Sequence, residues 1–270
     1  MKKIAIIGHG YVGRAVEDFL KNHYDVEIYD IAYIKKENLE EFQKRTNSCD
    51  VAFICVPTPS DENGRCDTSA ISETFEWLTV PTVVLKSTVE VGTTERLQEK
   101  YAGEIVFSPE FIGESKYWSP FKFDKDMKEM PHYIFGGRNK AACQKIVDLY
   151  TKVTGPMKSY MVTDSKTAEM VKYTFNTFAA MKVTFCNEIY DICEKLGISY
   201  NEVRELFTMD PRVSKMHTAV FAEERGYGGR CLPKDTKALL WLSESLGVKS
   251  EILAAVDKKN GEYLQKRSEE

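Results

Sequence analysis

The 270-residue chain has no stretch approaching the roughly 20 apolar residues needed to span a bilayer, and no Cys-x-x-Cys pair. It has only four histidines, His9, His23, His132 and His217, each isolated, and its runs of basic residues are no longer than short pairs such as Lys35-Lys36, Lys258-Lys259 and Lys266-Arg267. Each absence closes off a class of function. Without paired cysteine or histidine spacing no metal site is expected. A formal net charge of −4 and the lack of a basic stripe leave no electrostatic footprint for nucleic acid. After Lys2-Lys3 the apolar run stops at Gly8, too early for a signal-peptide core. The seven cysteines, Cys49, Cys55, Cys66, Cys143, Cys186, Cys193 and Cys231, form an odd set that suits free thiols in a reducing compartment. The expectation is a cytoplasmic protein with neither a membrane nor a nucleic acid as partner.

What remains is a chain 43% hydrophobic and 29% charged, long enough for one large domain or two ordinary ones. Lys3 to Ile7 reads as a buried strand that runs into Gly8-His9-Gly10-Tyr11-Val12-Gly13, and Arg14 to Asn22 then has helical periodicity. A G-x-G-x-x-G between a strand and a helix lets a pyrophosphate approach backbone N–H groups at the helix start. A second strand, Asp25 to Tyr29, ends in Asp30, 17 residues beyond Gly13 and near the spacing at which an acid meets the ribose hydroxyls of NAD. That acid disfavours the extra phosphate of NADP, while Lys35 leaves some room for it. The plain alternative is a glycine-tight turn with no ligand.

Val51 to Val56, Thr82 to Leu85 and Ile105 to Phe107 add apolar strands separated by helices. The alternation predicts an α/β fold, a doubly wound parallel-sheet Rossmann domain. Ligands of such a sheet lie beyond the carboxyl ends of its strands. That rule draws attention to Pro57-Thr58-Pro59, Lys86-Ser87-Thr88 and Ser108-Pro109-Glu110-Phe111. The aromatic and charged stretch from Lys116 to Asp124 reads as a packed surface loop or a lid. Tyr133 to Phe135 then predicts a strand and Asn139 to Thr151 a helix, so that residues 1–158 form the Rossmann domain and 159–270 a helical domain.

The helical domain is expected to be built on one proline-free helix from Asp164, its cap, to Gly197, its stop, about 50 Å long at 1.5 Å per residue. Lys172, Asn176 and Asn187 share one stripe of it; a lysine and an amide one turn apart can donate together to an oxygen gaining negative charge, or can simply be solvated. Asn201 to Phe207, Thr236 to Leu246 and Glu251 to Asn260 predict further helices, and Lys215 to Glu224 is ambiguous. Between them lies Arg225-Gly-Tyr-Gly228-Gly-Arg-Cys231-Leu-Pro-Lys234-Asp235, a cysteine on a glycine turn beside two cations. Such a thiol is a nucleophile or an inert surface group, and the stretch alone does not choose.

Taken in order, Gly8-x-Gly10-x-x-Gly13, Val56-Pro-Thr-Pro59, Lys86-Ser-Thr-Val89 with Gly92-Thr-Thr, Ser108-Pro-Glu-Phe111, Lys172-x-x-x-Asn176 with Asn187-Glu188, and Gly226 to Asp235 resemble the UDP-glucose (UDP-sugar) 6-dehydrogenase family from Lys2 to about Ala254. The resemblance implies oxidation of a nucleotide-sugar primary alcohol to the carboxylate by two hydride transfers to NAD. Cys231 would attack the aldehyde and carry a thioester, Glu110 would assist its hydrolysis, and Thr88 and Asp235 would hold water. Lys172 and Asn176 would stabilise the oxyanion. Cofactor contacts would come from Gly8, Gly10, Tyr11, Val12, Gly13, Asp30, Lys35, Pro57, Thr58, Ser87, Thr88, Glu114 and Lys234, and substrate contacts from Glu110, Phe111, Ile112, Lys172, Asn176 and Gly228.

Two departures fall on substrate recognition: family members continue into a second nucleotide-fold domain, whereas this chain ends at Glu270, and the segment before the glycine turn reads Thr218 to Glu224 where the family is typically Asn-Pro-Ser-like. The expectation is a member of the family, either naturally short or a truncated piece of a longer enzyme, and a homodimer through the long helix. A one-hydride β-hydroxyacid dehydrogenase, which needs no cysteine, and a non-catalytic nucleotide-binding module are the alternatives.

Overall fold

Strands β1 (Lys3–Ile7), β3 (Val51–Ile54), β4 (Thr82–Leu85) and β5 (Glu104–Phe107) are almost wholly buried because each is covered on both faces. Successive side chains enter opposite layers: Ile4, Ile6, Phe53, Val84 and Val106 pack in one, and Ala5, Ile7, Ile54, Leu85 and Phe107 in the other. That two-sided burial is why these strands read as continuous apolar runs rather than alternating ones. The computed structural model describes residues 2–113 and 126–269, so Glu114 and the Lys116 to Asp124 stretch lie outside the described residues.

The chain divides into two compact units, Met1–Pro59 with Cys66–Lys172, and Ser60–Arg65 with Tyr173–Glu270. The first unit holds a seven-stranded sheet in the order β2-β1-β3-β4-β5-β6-β7, with β2 at Asp25–Tyr29, β6 at His132–Gly136 and β7 at Ser159–Thr163. Strands β1 to β5 are parallel, as expected. The parallel expectation fails at β6, which meets β5 antiparallel through Phe107 and Gly136 and pairs parallel with β7. The sheet thus continues past residue 158: β7 adds an edge strand that sequence patterning missed, because three of its five residues are exposed and its alternation is weak.

Helices α1 (Tyr11–Leu20), α2 (Leu39–Asn47), α3 (Ser69–Trp77), α4 (Thr93–Gln98) and α5 (Lys140–Thr154) complete this unit. Asn139 caps α5 by accepting from the N–H groups of Ala141 and Ala142. Tyr150 of α5 anchors an aromatic cluster, with ring centroids 4.8 Å from Phe19 and 5.0 Å from both Tyr133 and Phe135.

Helix α6 (Ser165–Leu196) is capped by Asp164, whose carboxylate accepts from the Thr167 N–H at 2.8 Å. The division between the units falls inside α6, between Lys172 and Tyr173. The second unit contains its later turns with α7 (Tyr200–Phe207), α8 (Leu232–Ser245) and α9 (Glu251–Glu269). Residues 215–224 form turns without a helix or strand. Helix α8 starts at Leu232, a turn earlier than the Thr236 expected, with Pro233 in its first turn where a missing N–H costs nothing.

Candidate functional site

In the first unit the glycine turn is explained position by position by steric demand. Gly8 has φ +85°, and a Cβ there would come within 2.9 Å of the Cys55–Val56 backbone; one at Gly13 would lie 2.0 Å from the Gly8 carbonyl oxygen. Both are therefore fixed by the protein itself. At Gly10 a Cβ would meet nothing within 4 Å, so the protein does not fill the space before it. Gly10 is also the N-cap of α1, with no side-chain cap and no acid in the first turn, which leaves N–H groups available to an anion. Asp30 stands at the end of β2 and accepts from the N–H of His9 in the turn at 2.6 Å and from Ala32 at 2.8 Å. Order reverses here, since β2 and β3 lie on opposite sides of β1, the usual place for a nucleotide in an open α/β sheet. The residues present therefore fit a dinucleotide: space for a pyrophosphate at Gly10, donors behind it, and a carboxylate for a ribose.

Around this turn Tyr11 donates to the Gly113 carbonyl at 2.6 Å, Val12 packs on the core, and Lys35 and Pro57 are exposed. The hydroxyls of Thr58 and Ser87 are already used: Thr58 donates to the Thr88 carbonyl and Ser87 to the Val56 carbonyl, each at 2.7 Å. They stitch the loops after β3 and β4 together and set the position of the half-buried Thr88.

The loop after β5 carries Glu110. Its Oε1 accepts from the N–H groups of Phe111 at 2.8 Å and Ile112 at 3.1 Å, and its Oε2 forms an ion pair with Lys86 Nζ at 3.0 Å. Burial alone would lower the Lys86 pKa, but the Glu110 carboxylate and neighbouring Tyr150 and Cys55 outweigh it and hold the ammonium raised. Lys172 donates to the Glu110 main-chain carbonyl, and its ammonium lies 5.3 Å from the centre of the Phe111 ring. One turn earlier on α6, the fully buried Glu169 accepts from Gly92 N at 2.5 Å, Thr94 N at 2.9 Å and Thr94 Oγ1 at 2.6 Å, capping α4.

In the second unit Cys231 is the N-cap of α8 and the only one of the seven cysteines that is not buried. The turn leading to it is clamped from α6 and α9. Arg225 donates to Asn187 Oδ1 at 2.6 Å and Asp191 Oδ1 at 2.6 Å and lies over the rings of Tyr190 and Tyr263. The Asn260 amide accepts from Tyr227 N at 2.7 Å and donates to Tyr227 O at 2.9 Å. At Gly226, with φ +74°, a Cβ would be 2.6 Å from Asn260 Oδ1. Beyond the clamp Gly228, Gly229 and Arg230 are exposed. Asp235, 1% exposed, accepts from Asn176 Nδ2 at 2.5 Å and Lys234 Nζ at 2.6 Å. Helix polarity favours an anion at the N-terminus, where Cys231 sits.

Residues 32–154 match the NAD binding domain, and residues 166–262 the central domain, of the UDP-glucose/GDP-mannose dehydrogenase family. The chain belongs to this family. Among relatives, it is 27% identical to the UDP-glucose 6-dehydrogenase TuaD of Bacillus subtilis over 96% of this chain and 63% of that protein. It is 31% identical to the GDP-mannose 6-dehydrogenase of Pseudomonas aeruginosa over 84% of this chain and 54% of that one. A solved UDP-glucose dehydrogenase from Pyrobaculum islandicum superposes with a TM-score of 0.80 at 28% identity, covering 97% of this chain and 68% of its own. The chain thus spans less than two thirds of those curated relatives' lengths. A Mycobacterium tuberculosis 3-hydroxyisobutyrate dehydrogenase structure shares the fold alone, with a TM-score of 0.68 at 14% identity over 97% of this chain and 94% of that one.

Within the first unit the structure brings together Gly8, Gly10, Gly13 and Asp30, and separately Glu110, Phe111, Ile112 and Lys172. In the second unit it brings Asn176 of α6 to Asp235, which with Lys234 lies in the first turn of the helix that follows Cys231. Asn187, placed on the same stripe as Lys172 and Asn176, accepts from Arg225 Nε and Gly226 N through its Oδ1. Glu169 and Asn260 escaped sequence reasoning, and Lys86 was named in its strand-end loop without a role. Lys86 carried the signal of a lysine at a strand's carboxyl end, Glu169 that of an acid on the Lys172 stripe, and Asn260 none.

Proposed function

We propose that this chain oxidises the primary alcohol of a nucleotide sugar, of the UDP-glucose class, to the carboxylate with NAD as acceptor. One observation carries the reading: the single thiol left accessible is the one on the clamped glycine turn, at the N-cap of α8, with Asp235 one turn on. NAD, bound over Gly10 with Asp30 toward its ribose, would supply the hydride acceptor for each oxidation.

The chain's own residues then have distinct tasks. After the first oxidation the Cys231 thiolate adds to the aldehyde carbon, forming a C–S bond and placing negative charge on the former carbonyl oxygen. Lys172 and Asn176, one helical turn apart, donate to that oxygen, and Asp235 orients the Asn176 amide. Loss of the second hydride leaves a thioester. Water adds to it, the C–S bond breaks, and the thiol is restored. Overall, one alcohol, two NAD and one water give one carboxylate, two NADH and three protons.

A one-hydride alcohol dehydrogenase is the second reading, favoured by the near full-length fold match to the 3-hydroxyisobutyrate enzyme. Counting NADH per molecule of substrate consumed separates the two, using UDP-glucose and GDP-mannose first. The four-electron reaction gives a ratio of two and loses all acid formation in Cys231→Ser, with NAD binding retained. A ratio near one, or a fully active serine variant, would discard the thioester. NAD binding without NADH from any nucleotide sugar would favour a regulatory module.

A further inference from the structure

We propose that Asn260, in the middle of α9, is a positioning residue for Cys231: it holds both backbone groups of Tyr227 and so fixes the near end of the glycine turn that carries the thiol. The importance of Cys231 is taken from the functional reading above, while the anchoring rests on geometry alone. Asn260 is 3% exposed, and its amide spends both ends on one residue, accepting from Tyr227 N at 2.7 Å and donating to Tyr227 O at 2.9 Å. That is the pairing a neighbouring strand would give, supplied by a single side chain. An asparagine inside a helix is disfavoured because its amide competes for nearby backbone groups. This one is instead committed to a segment 33 residues earlier.

The turn needs such an anchor because its own residues do not specify its course. Gly228, Gly229 and Arg230 are exposed, and Gly229 has φ +78°. Two glycines leave this arc many conformations, so where Cys231 stands is set by the ends of the arc. At the far end Cys231 O accepts from Asp235 N at 3.0 Å as α8 begins, and Leu232 packs against the cluster of Ala180, Tyr227 and Val256. At the near end the Tyr227 ring belongs to that same cluster, and its peptide is gripped by Asn260. Gly226 is shaped to this contact: its φ is +74°, and a Cβ there would lie 2.6 Å from Asn260 Oδ1 and 3.0 Å from Tyr263 Cβ. Arg225, on the other side of Gly226, is held by Asn187 and Asp191, so the grip on the turn continues from α9 to α6.

Amide hydrogen exchange tests the anchoring without substrate. The Tyr227 N–H should be protected in the wild type, and Asn260→Ala should speed its exchange at least about tenfold while the protein still melts cooperatively and binds NAD. Unchanged exchange would overturn the proposal. Gly226→Ala should act like Asn260→Ala, because its methyl displaces the amide, and the two substitutions together should speed exchange by less than the product of their separate effects. Fully multiplicative effects would show that the contact carries no anchoring.

Turnover separates positioning from general loosening. The first oxidation does not use the thiol and the second does, so Asn260→Ala should release aldehyde, trapped by hydroxylamine as its oxime, and lower the NADH per substrate from two toward one. Acid formation should fall about tenfold to a hundredfold, the effect of moving a reacting group by about 1 Å, with KM for NAD unchanged. Equal loss of both oxidations, or a ratio still at two, would sink the idea. Should the alanine variant not fold, Asn260→Asp sets an oxygen against Tyr227 O in place of an N–H. It should release aldehyde as well, and an unchanged ratio there would be equally decisive against the proposal. If the wild type oxidises no nucleotide sugar yet Tyr227 exchange follows Asn260, the functional reading fails and the anchoring stands. Oxidation by the wild type with exchange indifferent to Asn260 gives the reverse.

Discussion

Cys231 differs from the other six cysteines by environment, not by type. Burial, aided by nearby carboxylates, pushes the Cys49 thiol up to about 11, and burial pushes Cys55 up to about 12 despite the opposing charge of Lys86. Against the ordinary value of 9.0, a thiol near 11 presents about a hundredfold less thiolate at neutral pH. Limited alkylation of the native protein should therefore modify Cys231 first, at least about tenfold ahead of any other cysteine, as read by peptide mass spectrometry. Early labelling of Cys55 or Cys66 would contradict the burial described. The glycine turn around Cys231 was legible in sequence, since glycines beside a lone cysteine are a local pattern. Its place as a helix N-cap was not, because Leu232-Pro233 suits a loop and a first helical turn equally well.

Helix α6 is oriented about its axis by Glu169, which ties it to the start of α4 through three hydrogen bonds. Burial raises the Glu169 pKa above the ordinary 4.5, with the bonds from Thr94 and Gly92 opposing the shift only in part. A carboxyl raised in the folded state contributes most below its unfolded value, and that contribution falls as pH climbs through the folded one. Denaturant melts of wild type and Glu169→Gln should thus differ most in favour of wild type near pH 4.5 and less at higher pH. A difference that grows toward neutrality would show that the hydrogen bonds outweigh desolvation. Of this element, length, cap and stop were readable from Asp164 and Gly197, since propensity and capping are local. The clamp joins residues 77 positions apart, which no periodicity reports.

At the scale of the whole molecule the second unit leaves an apolar stripe uncovered on α6. Phe178, Phe185 and Ile192 recur every seven residues and are 54%, 57% and 53% exposed, with Leu196 at 66%. Such a stripe at heptad spacing suits a second copy of the same helix. Sedimentation at micromolar concentration should give a dimer, and Phe178→Glu/Phe185→Glu a monomer that still melts cooperatively. A monomeric wild type would remove the proposal. Among the described residues no helix is long and apolar enough to cross a membrane, and no cluster of His, Cys, Asp or Glu could hold a metal.

The amino-acid order by itself determined the apolar strands, the glycine turn with its acid, the capped long helix and the sequence of motifs, because steric and hydrophobic preferences act over a few neighbouring residues. It could not show that β6 runs against β5, that Asn187 and Asn260 clamp the turn before Cys231, or that Glu110 is divided between Lys86 and Lys172. Those are pairings of polar groups far apart in the chain. Each is settled only when folding takes both partners out of water, where an unpaired charge or amide is too costly to leave alone.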